Sequence, residues 1–261
     1  MILRGKSAAC LYLSMLYDDC MERGKGIFSG GIRYLGGTLE SYGNVNTADS
    51  LTAIRKLVYE QKLVGWRELL TALEADFKGY DLLQKRLKRC PKFGNDQEEA
   101  DGMLKSLHRF VCLTAKAQAK RVGLDSYLIV VINNSANTSL GLLTGAGADG
   151  RHAFVSMRMP TAPRRGADEN GITAVLNSML QADTDIHAGA VQNIKFSKGT
   201  FNESRAAAVK VMESYFERGG AQLMVTVVGR EDLEKRQEAP SGLYRASGTG
   251  RRFFRTVRRT V

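Results

Sequence analysis

Two short runs, residues 127–132 and Leu223–Val228, are apolar or β-branched at almost every position. A strand of that composition has no polar side to give to water, so it must be covered on both faces, as in a parallel sheet flanked by helices. Each run is far shorter than the roughly 20 residues that a bilayer core demands, so neither is a membrane span. The stretches between them carry helical periodicity, and the alternation reads as α/β. With 261 residues and 43% hydrophobic side chains, the chain has enough apolar material for a real core.

Asp49 stands where it could cap a helix whose apolar residues Leu51, Ile54, Leu57 and Val58 recur at helical spacing. Trp66, Leu69, Leu70, Leu73 and Phe77 line a second helix, with Gly79 where a C-terminal cap glycine belongs. Leu82, Leu83 and Leu87 mark a third, which Pro91 stops. Beyond the polar turn Phe93-Gly94-Asn95-Asp96, a long amphipathic helix turns Met103, Leu104, Leu107, Phe110 and Val111 inward and runs to about Val122. Residues 133–171 are rich in Asn, Ser, Thr, Gly and Pro without sustained periodicity, the pattern of a functional or disordered loop. Structure resumes at 173–180 and in a helix at 205–218 with Val209, Met212, Tyr215 and Phe216 inward, ended by Gly219-Gly220. A charged helical turn is expected at 230–238.

The formal charge of +11 invites a nucleic-acid reading, but residues 245–261 alone hold six arginines and no acid. The body is therefore only mildly basic, and Phe253 and Phe254 are adjacent rather than interleaved at stacking distances. Nucleic acid is not expected as the main partner, nor is a membrane. Arg4 and Lys6 before an apolar stretch imitate a signal peptide, but Asp18-Asp19 follow with no small-residue cleavage site. Cys10, Cys20, Cys90 and Cys112 lie far apart and never approach zinc-ligand spacing with His108, His152 and His187, so reduced, structural thiols in a cytoplasmic protein are expected. Gly145-Ala-Gly-Ala-Asp-Gly150 has G-x-G-x-x-G spacing, but it neither follows a strand tightly nor opens a helix, and a structural loop without bound nucleotide is expected. Cys20, beside Asp19 and Glu22, sits among carboxylates that disfavour a thiolate, the setting of a structural residue.

Several segments, in order, resemble the C-terminal part of the glycyl radical enzymes, the pyruvate formate-lyase family. They are Asp19-Cys20-Met21-Glu22-Arg23-Gly24, Gly30-Gly31-Ile32-Arg33-Tyr34, residues 48–58, Lys92-Phe93-Gly94-Asn95-Asp96, Thr144-Gly145-Ala146 with Asp149-Gly150-Arg151, residues 170–178, Gln192-Asn193-Ile194-Lys195-Phe196 and residues 219–228. The family's radical loop reads roughly R-V-x-G-Y-x-x-x-F. Residues 245–253 fit that frame with Arg245, Ser247, Gly248, Arg252 and Phe253 in place, while Ala246 and Thr249 replace the usual valine and tyrosine.

The resemblance implies the C-terminal portion of a ten-stranded α/β barrel: residues 1–132 the end of the barrel domain, residues 133–261 a glycine radical domain with an atypical basic tail. It implies that Gly248 stores the radical, that a radical-SAM activase installs it, that no metal or nucleotide is bound, and that a small molecule is the parent enzyme's substrate. A glycine suits that role because its α-carbon, lacking Cβ, can flatten and pack closely. The implied chemistry is that of an anaerobic radical lyase or acyltransferase of the formate acetyltransferase class, and a homodimer is compatible with it. The family's thiyl cysteine lies upstream of the matched region, so this chain by itself is expected to be inactive and to expose unpaired strand edges. Two further readings are a non-catalytic spare-part subunit that restores a damaged partner, and a basic-tailed binding protein.

Overall fold

A computed structural model describes residues 10–131, 136–157 and 170–229. In chain order these form α1 (Leu11–Ser14), α2 (Asp18–Arg23), β1 (Gly36–Ser41), α3 (Asn44–Ile54), α4 (Trp66–Glu74), α5 (Asp81–Arg89), α6 (Glu98–Gln118), β2 (Ser126–Val131), α7 (Ala136–Gly141), α8 (Gly171–Met179), β3 (Gly189–Ala190), β4 (Gln192–Ser197), α9 (Lys198–Glu203), α10 (Arg205–Glu217) and β5 (Leu223–Val228). The architecture is α/β and every strand pairing is parallel, with the order β1-β2-β3 in one sheet and β4-β5 in another. Only Val191 separates β3 from β4, and its amide still donates to the Val131 carbonyl at 3.4 Å. The chain therefore bends from one sheet directly into the next.

Helix α6 packs against β2, and α3 packs against α6. On the helix-facing side of β2, Ile129 and Val131 are buried with Cys112, Ala115 and Ala190. A second core joins α3, α6, α8, β4 and α10 through Val45, Phe93, Leu104, Val175, Ile194 and Tyr215. Phe93, with 2% of its surface exposed, contributes on the order of 2 kcal/mol by leaving water. A third core, around Leu69, Phe77, Leu83 and Leu87, holds α4 and α5 together. No helix among the described residues is long and apolar enough to cross a membrane.

The strand expected at residues 127–132 begins one residue earlier, at Ser126, and residue 132 lies outside the described residues; Leu223–Val228 is a strand as expected, but it is not buried on both faces among the described residues, since Met224 and Val225 are 41% and 37% exposed. Three placements differ. Asp49 is not a cap: α3 begins five residues before it, after Gly43 in the left-handed region, and the Asp49 carboxylate is wholly buried and engaged by the amide of Phe93 at 2.9 Å. A long-range backbone donor has claimed the side chain that sequence assigns to local capping. Phe110, Val209 and Phe216 point outward, at 67%, 38% and 48% exposure, because β2 and α8 cover a narrower stripe of α6 and α10 than periodicity suggests. The stretch at 133–171 is not uniformly a loop, since α7 and an ordered glycine turn lie within it. The expected turn at 230–238 lies outside the described residues.

Candidate functional site

Pro91 ends α5, and the five residues that follow, Lys92 to Asp96, thread between three helices instead of turning in solvent. The Phe93 amide donates to Asp49 Oδ1 of α3 at 2.9 Å, and Asn170 Nδ2 donates to the Asn95 carbonyl at 2.9 Å. Asn170 thus sits at the N-terminus of α8 yet leaves its own helix uncapped. The Asp96 amide donates to Ser178 Oγ at 2.9 Å, and the Ser178 hydroxyl donates to Asp101 Oδ2 of α6 at 2.9 Å. Asn177 Nδ2 donates to Asp96 Oδ2 at 2.7 Å, and Arg218, at the end of α10, donates to Asn177 Oδ1 at 2.5 Å. The Lys92 ammonium, also buried, donates to the Leu87 carbonyl at 2.8 Å.

This polar hub ties α3 and α6 to α8 and α10, the helices that precede β4 and β5. Burial raises the Asp101 carboxyl to about 6, and the nearby Asp96 charge adds to the rise, against the pull of Ser178 and the amides of Gly94 and Gln97.

The glycine turn beside it is a closed knot. Gly147 and Gly150 spend their amides on the carbonyls of Arg151 and Gly147, and the Asp149 amide goes to Ser50 Oγ at 3.1 Å. Asp149 in turn accepts from Asn46 Nδ2 at 2.7 Å and from the Arg151 amide at 3.1 Å. The buried Arg151 guanidinium donates to the carbonyls of Gly145, His152 and Val155. A pyrophosphate cradle requires free amides converging on one point, and these are committed. At Gly150, φ is +86° and an added Cβ would fall 2.6 Å from Lys88 Cγ, so the glycine is needed for the turn and for its close approach to α5.

His152 Nδ1 donates to Asp76 Oδ1 at 3.1 Å, and the Ala153 amide donates to the same oxygen at 2.7 Å. That amide, followed by His152, holds the Asp76 carboxyl below its usual range, against partial desolvation. No serine or cysteine nucleophile joins this pair among the hydrogen bonds of the described residues.

Sequence spacing gave no hint that His108 and His187 meet, being 79 residues apart: His187 Nδ1 lies 2.9 Å from His108 Nε2, and Cys112 Sγ lies 3.6 Å from that same nitrogen. Burial lowers the His108 pKa, and burial together with its histidine neighbour pushes His187 down to about 4. Burial pushes the Cys112 thiol up to about 11, so it stays protonated and is a poor nucleophile. Among the described residues no group of three or more His, Cys, Asp or Glu side chains is arranged to hold a metal ion. All four cysteines are free, and Cys20 is buried, its sulfur 2.7 Å from where a Cβ on Gly31 would stand.

Gly248 and the rest of residues 245–253 lie outside the described residues. The described chain leads toward them through the turn from α10 into β5, where Gly220 lies against the ring of buried Tyr215.

Residues 2–141 match the family model "pyruvate formate lyase-like", and residues 158–246 match the model "glycine radical", which ends two residues before Gly248. The chain belongs to the pyruvate formate lyase-like family, within the glycyl radical enzymes. Among curated relatives it is 27% identical over 238 residues to the trans-4-hydroxy-L-proline dehydratase of Clostridioides difficile, covering 90% of this chain and 30% of the relative. It is 32% identical over 239 residues to the probable dehydratase YbiW of Escherichia coli, covering 87% and 30%. It is 32% identical over 212 residues to the isethionate sulfite-lyase of Bilophila wadsworthia, covering 78% and 25%. The chain thus spans about 30% or less of the length of these relatives. In three dimensions it resembles the B12-independent glycerol dehydratase of Clostridium butyricum, with a TM-score of 0.86 and 29% identity, covering 92% of this chain and 31% of that one. The expected fold, a portion of the glycyl radical enzyme barrel, agrees with this likeness.

Proposed function

We propose that this chain is the C-terminal, radical-storing part of a glycyl radical enzyme, with Gly248 as the radical site, residues 1–132 completing the barrel and residues 133–261 forming the glycine radical domain. The reaction class is bond-cleaving lyase chemistry of the dehydratase, decarboxylase or sulfite-lyase kind. The relatives described above carry those names, which favours such chemistry over the acyl transfer of a formate acetyltransferase. The observation that carries the reading is the ordered run of matched segments, from residue 2 to 246, leading to the frame Arg245-Ala246-Ser247-Gly248.

A radical on Gly248, installed by a radical-SAM activase, supplies one-electron oxidation of a cysteine that in turn acts on a small-molecule substrate. The chain's described residues position β5, which precedes that segment in sequence. The hub fastens α8 and α10 to α3 and α6, so β5 leaves a fixed base. Cys20 and Cys112 are buried on helices and Cys90 is buried just past the end of α5, which supports a thiyl cysteine supplied from outside these residues. Four free thiols suit a reducing, cytoplasmic setting.

The test is anaerobic incubation of the chain with a radical-SAM activase, S-adenosylmethionine and reductant, followed by electron paramagnetic resonance. A glycine-centred doublet that disappears in Gly248→Ala is expected. A doublet that survives that substitution, or none from the wild-type chain, refutes the assignment of Gly248.

A further inference from the structure

Strand β3 is two residues long and pairs with β2 only through Gly189 against Val130 and Ala190 against Val131. So short a ladder contributes little by itself, and the place of β3 depends on the connection that delivers it, residues 180–188. Three contacts seat that connection on the sheet and on α6. The Ala188 amide donates to the Ile129 carbonyl of β2 at 2.8 Å. Asp183 accepts from Arg109 of α6 at 2.8 Å, with the Lys105 ammonium 3.9 Å away. The third contact is His187, whose Nδ1 lies 2.9 Å from Nε2 of His108, with the two rings edge to face.

Two imidazoles that face each other through one nitrogen each share a single proton, and the bond holds only while the accepting ring is neutral. His108 is buried and its Nε2 is taken up by His187, which leaves Nδ1 for the Asp183 backbone, to which this ring is also hydrogen-bonded. His108 Nε2 is then the acceptor and His187 Nδ1 the donor. What remains is Nε2 of His187, which is buried with no hydrogen-bond partner among the described residues. A proton arriving there would create a charged donor with no acceptor, out of reach of water. The surrounding core offers no counter-charge: Ala115, Ile129, Val131, Ile186 and Ala190 are apolar, and the Cys112 thiol, 3.6 Å from His108 Nε2, is held protonated by burial. The carboxylates that act on the pair lie on the connection itself. Asp183 is already engaged by Arg109 and Lys105, and Asp185 is exposed.

We propose that the His108–His187 contact is an acid-operated latch, which keeps residues 180–188 and β3 seated on α6 and β2 at neutral pH and lets them lift away as the rings take up protons. Once lifted, His187 reaches water and titrates at the ordinary imidazole value of about 6.5; seated, it resists protonation down to about 4. The seated form therefore binds fewer protons, so its advantage is complete above about 6.5 and is lost as pH falls toward 4. Between pH 7 and pH 5, His187 alone should raise the lifted population about twentyfold. Because only Val191 separates β3 from β4, lifting loosens the join between the two sheets. The latch does not depend on the assignment of Gly248.

Native-state hydrogen exchange on the full 261-residue chain tests this, with the protection of each amide corrected for its intrinsic rate at pH 7 and pH 5. The Ala188 amide is the reporter. Its protection should fall by about twentyfold or more on acidification, while the amides that pair β1 with β2 keep theirs. In His187→Asn the side-chain nitrogen can stand in for Nδ1 as the donor to His108 but takes up no proton, and the fall should be smaller by about tenfold or more. Equal Ala188 protection at both pH values overturns the inference. So does an equal fall in His187→Asn, or a fall shared by the β1 and β2 amides, which would be global unfolding. If the variant does not fold, the wild-type histidine ring signals in nuclear magnetic resonance decide. His187 charging in step with the loss of Ala188 protection supports the latch; His187 charging near 6.5 while Ala188 stays protected removes it.

Discussion

Gly220 offers the sharpest test of how the turn from α10 into β5 is held. A Cβ added there would stand 2.1 Å from Cε1 of Tyr215 and 2.4 Å from Cδ1 and Cζ, against the 3.5–4.0 Å of ordinary carbon contacts. The ring cannot step aside cheaply: Tyr215 is 3% exposed, in one core with Val175, Leu176 and Ile194. Overpacking of this kind costs about 1–3 kcal/mol, and expelling the ring forfeits roughly 3–5 kcal/mol of aromatic burial. Gly220→Ala should therefore destabilise the chain by about 3 kcal/mol in urea unfolding, with the m-value unchanged. Gly219 next door is the control. Its φ is +94° but nothing lies within 4 Å of its Cβ position, so Gly219→Ala should cost only about 1–2 kcal/mol of backbone strain. Removing the ring removes the clash, so in a Tyr215→Ala background Gly220→Ala should cost under about 1 kcal/mol, a coupling of about 2 kcal/mol. A cost below about 0.5 kcal/mol, or the same cost with and without the ring, would refute the steric argument.

Three further outcomes follow from the geometry. Because the Asp101 carboxyl is raised to about 6 in the folded chain, the folded state holds the proton more tightly, so this group's contribution falls as pH rises from about 4 through 6. The stability of wild type relative to Asp101→Asn should therefore drop by up to about 3 kcal/mol between pH 4 and pH 7, and a flat difference in urea melts would contradict the burial argument. The Gly147, Asp149 and Gly150 amides of the glycine turn are committed, so calorimetric titration with NAD or ADP at millimolar concentration should give no binding heat; saturable heat lost in Gly150→Ala would reverse that reading. In the native state a thiol reagent should find one fast cysteine, Cys10, with Cys20, Cys90 and Cys112 reacting only on unfolding. A second fast thiol would mean that α2, α5 or α6 opens readily.

The strands that sequence reveals are the ones made of apolar or β-branched residues, whether or not the described residues cover both faces: Met224 and Val225 of β5 are 41% and 37% exposed. Residues 127–132 and Leu223–Val228 announce themselves because both faces are apolar, whereas β1, reading Gly-Gly-Thr-Leu-Glu-Ser, has one large apolar residue and lies exposed at an edge. Its strand character comes from pairing with β2, which no local pattern encodes. The helices are legible from their periodicity, but which outer residues gain cover depends on the width of the neighbouring element, and Phe110, Val209 and Phe216 fall outside it. The hub was legible only as separate segments. Asp49 reads locally as a cap and Asp96 as part of a turn; their partners stand 44 and 82 residues away, at Phe93 and Ser178.

Those separate segments nevertheless explain one another once assembled. Residues 48–58, Lys92 to Asp96, 144–151 and 170–178 each resemble the family on their own, and the structure brings all four into one connected set of hydrogen bonds around α3. Most members of this set are buried polar groups, which are costly unless paired and so hold one another to a single arrangement. The one hydroxyl among them that donates to a carboxylate, Ser178 on Asp101, also accepts from the Asp96 amide, and both side chains are buried. The collective effect of the set is positional: it fixes α8 and α10, and with them the parallel strands β4 and β5. On the function proposed above, where the protein's part is to place and shield one atom, a rigid polar base under β5 is the device the mechanism requires.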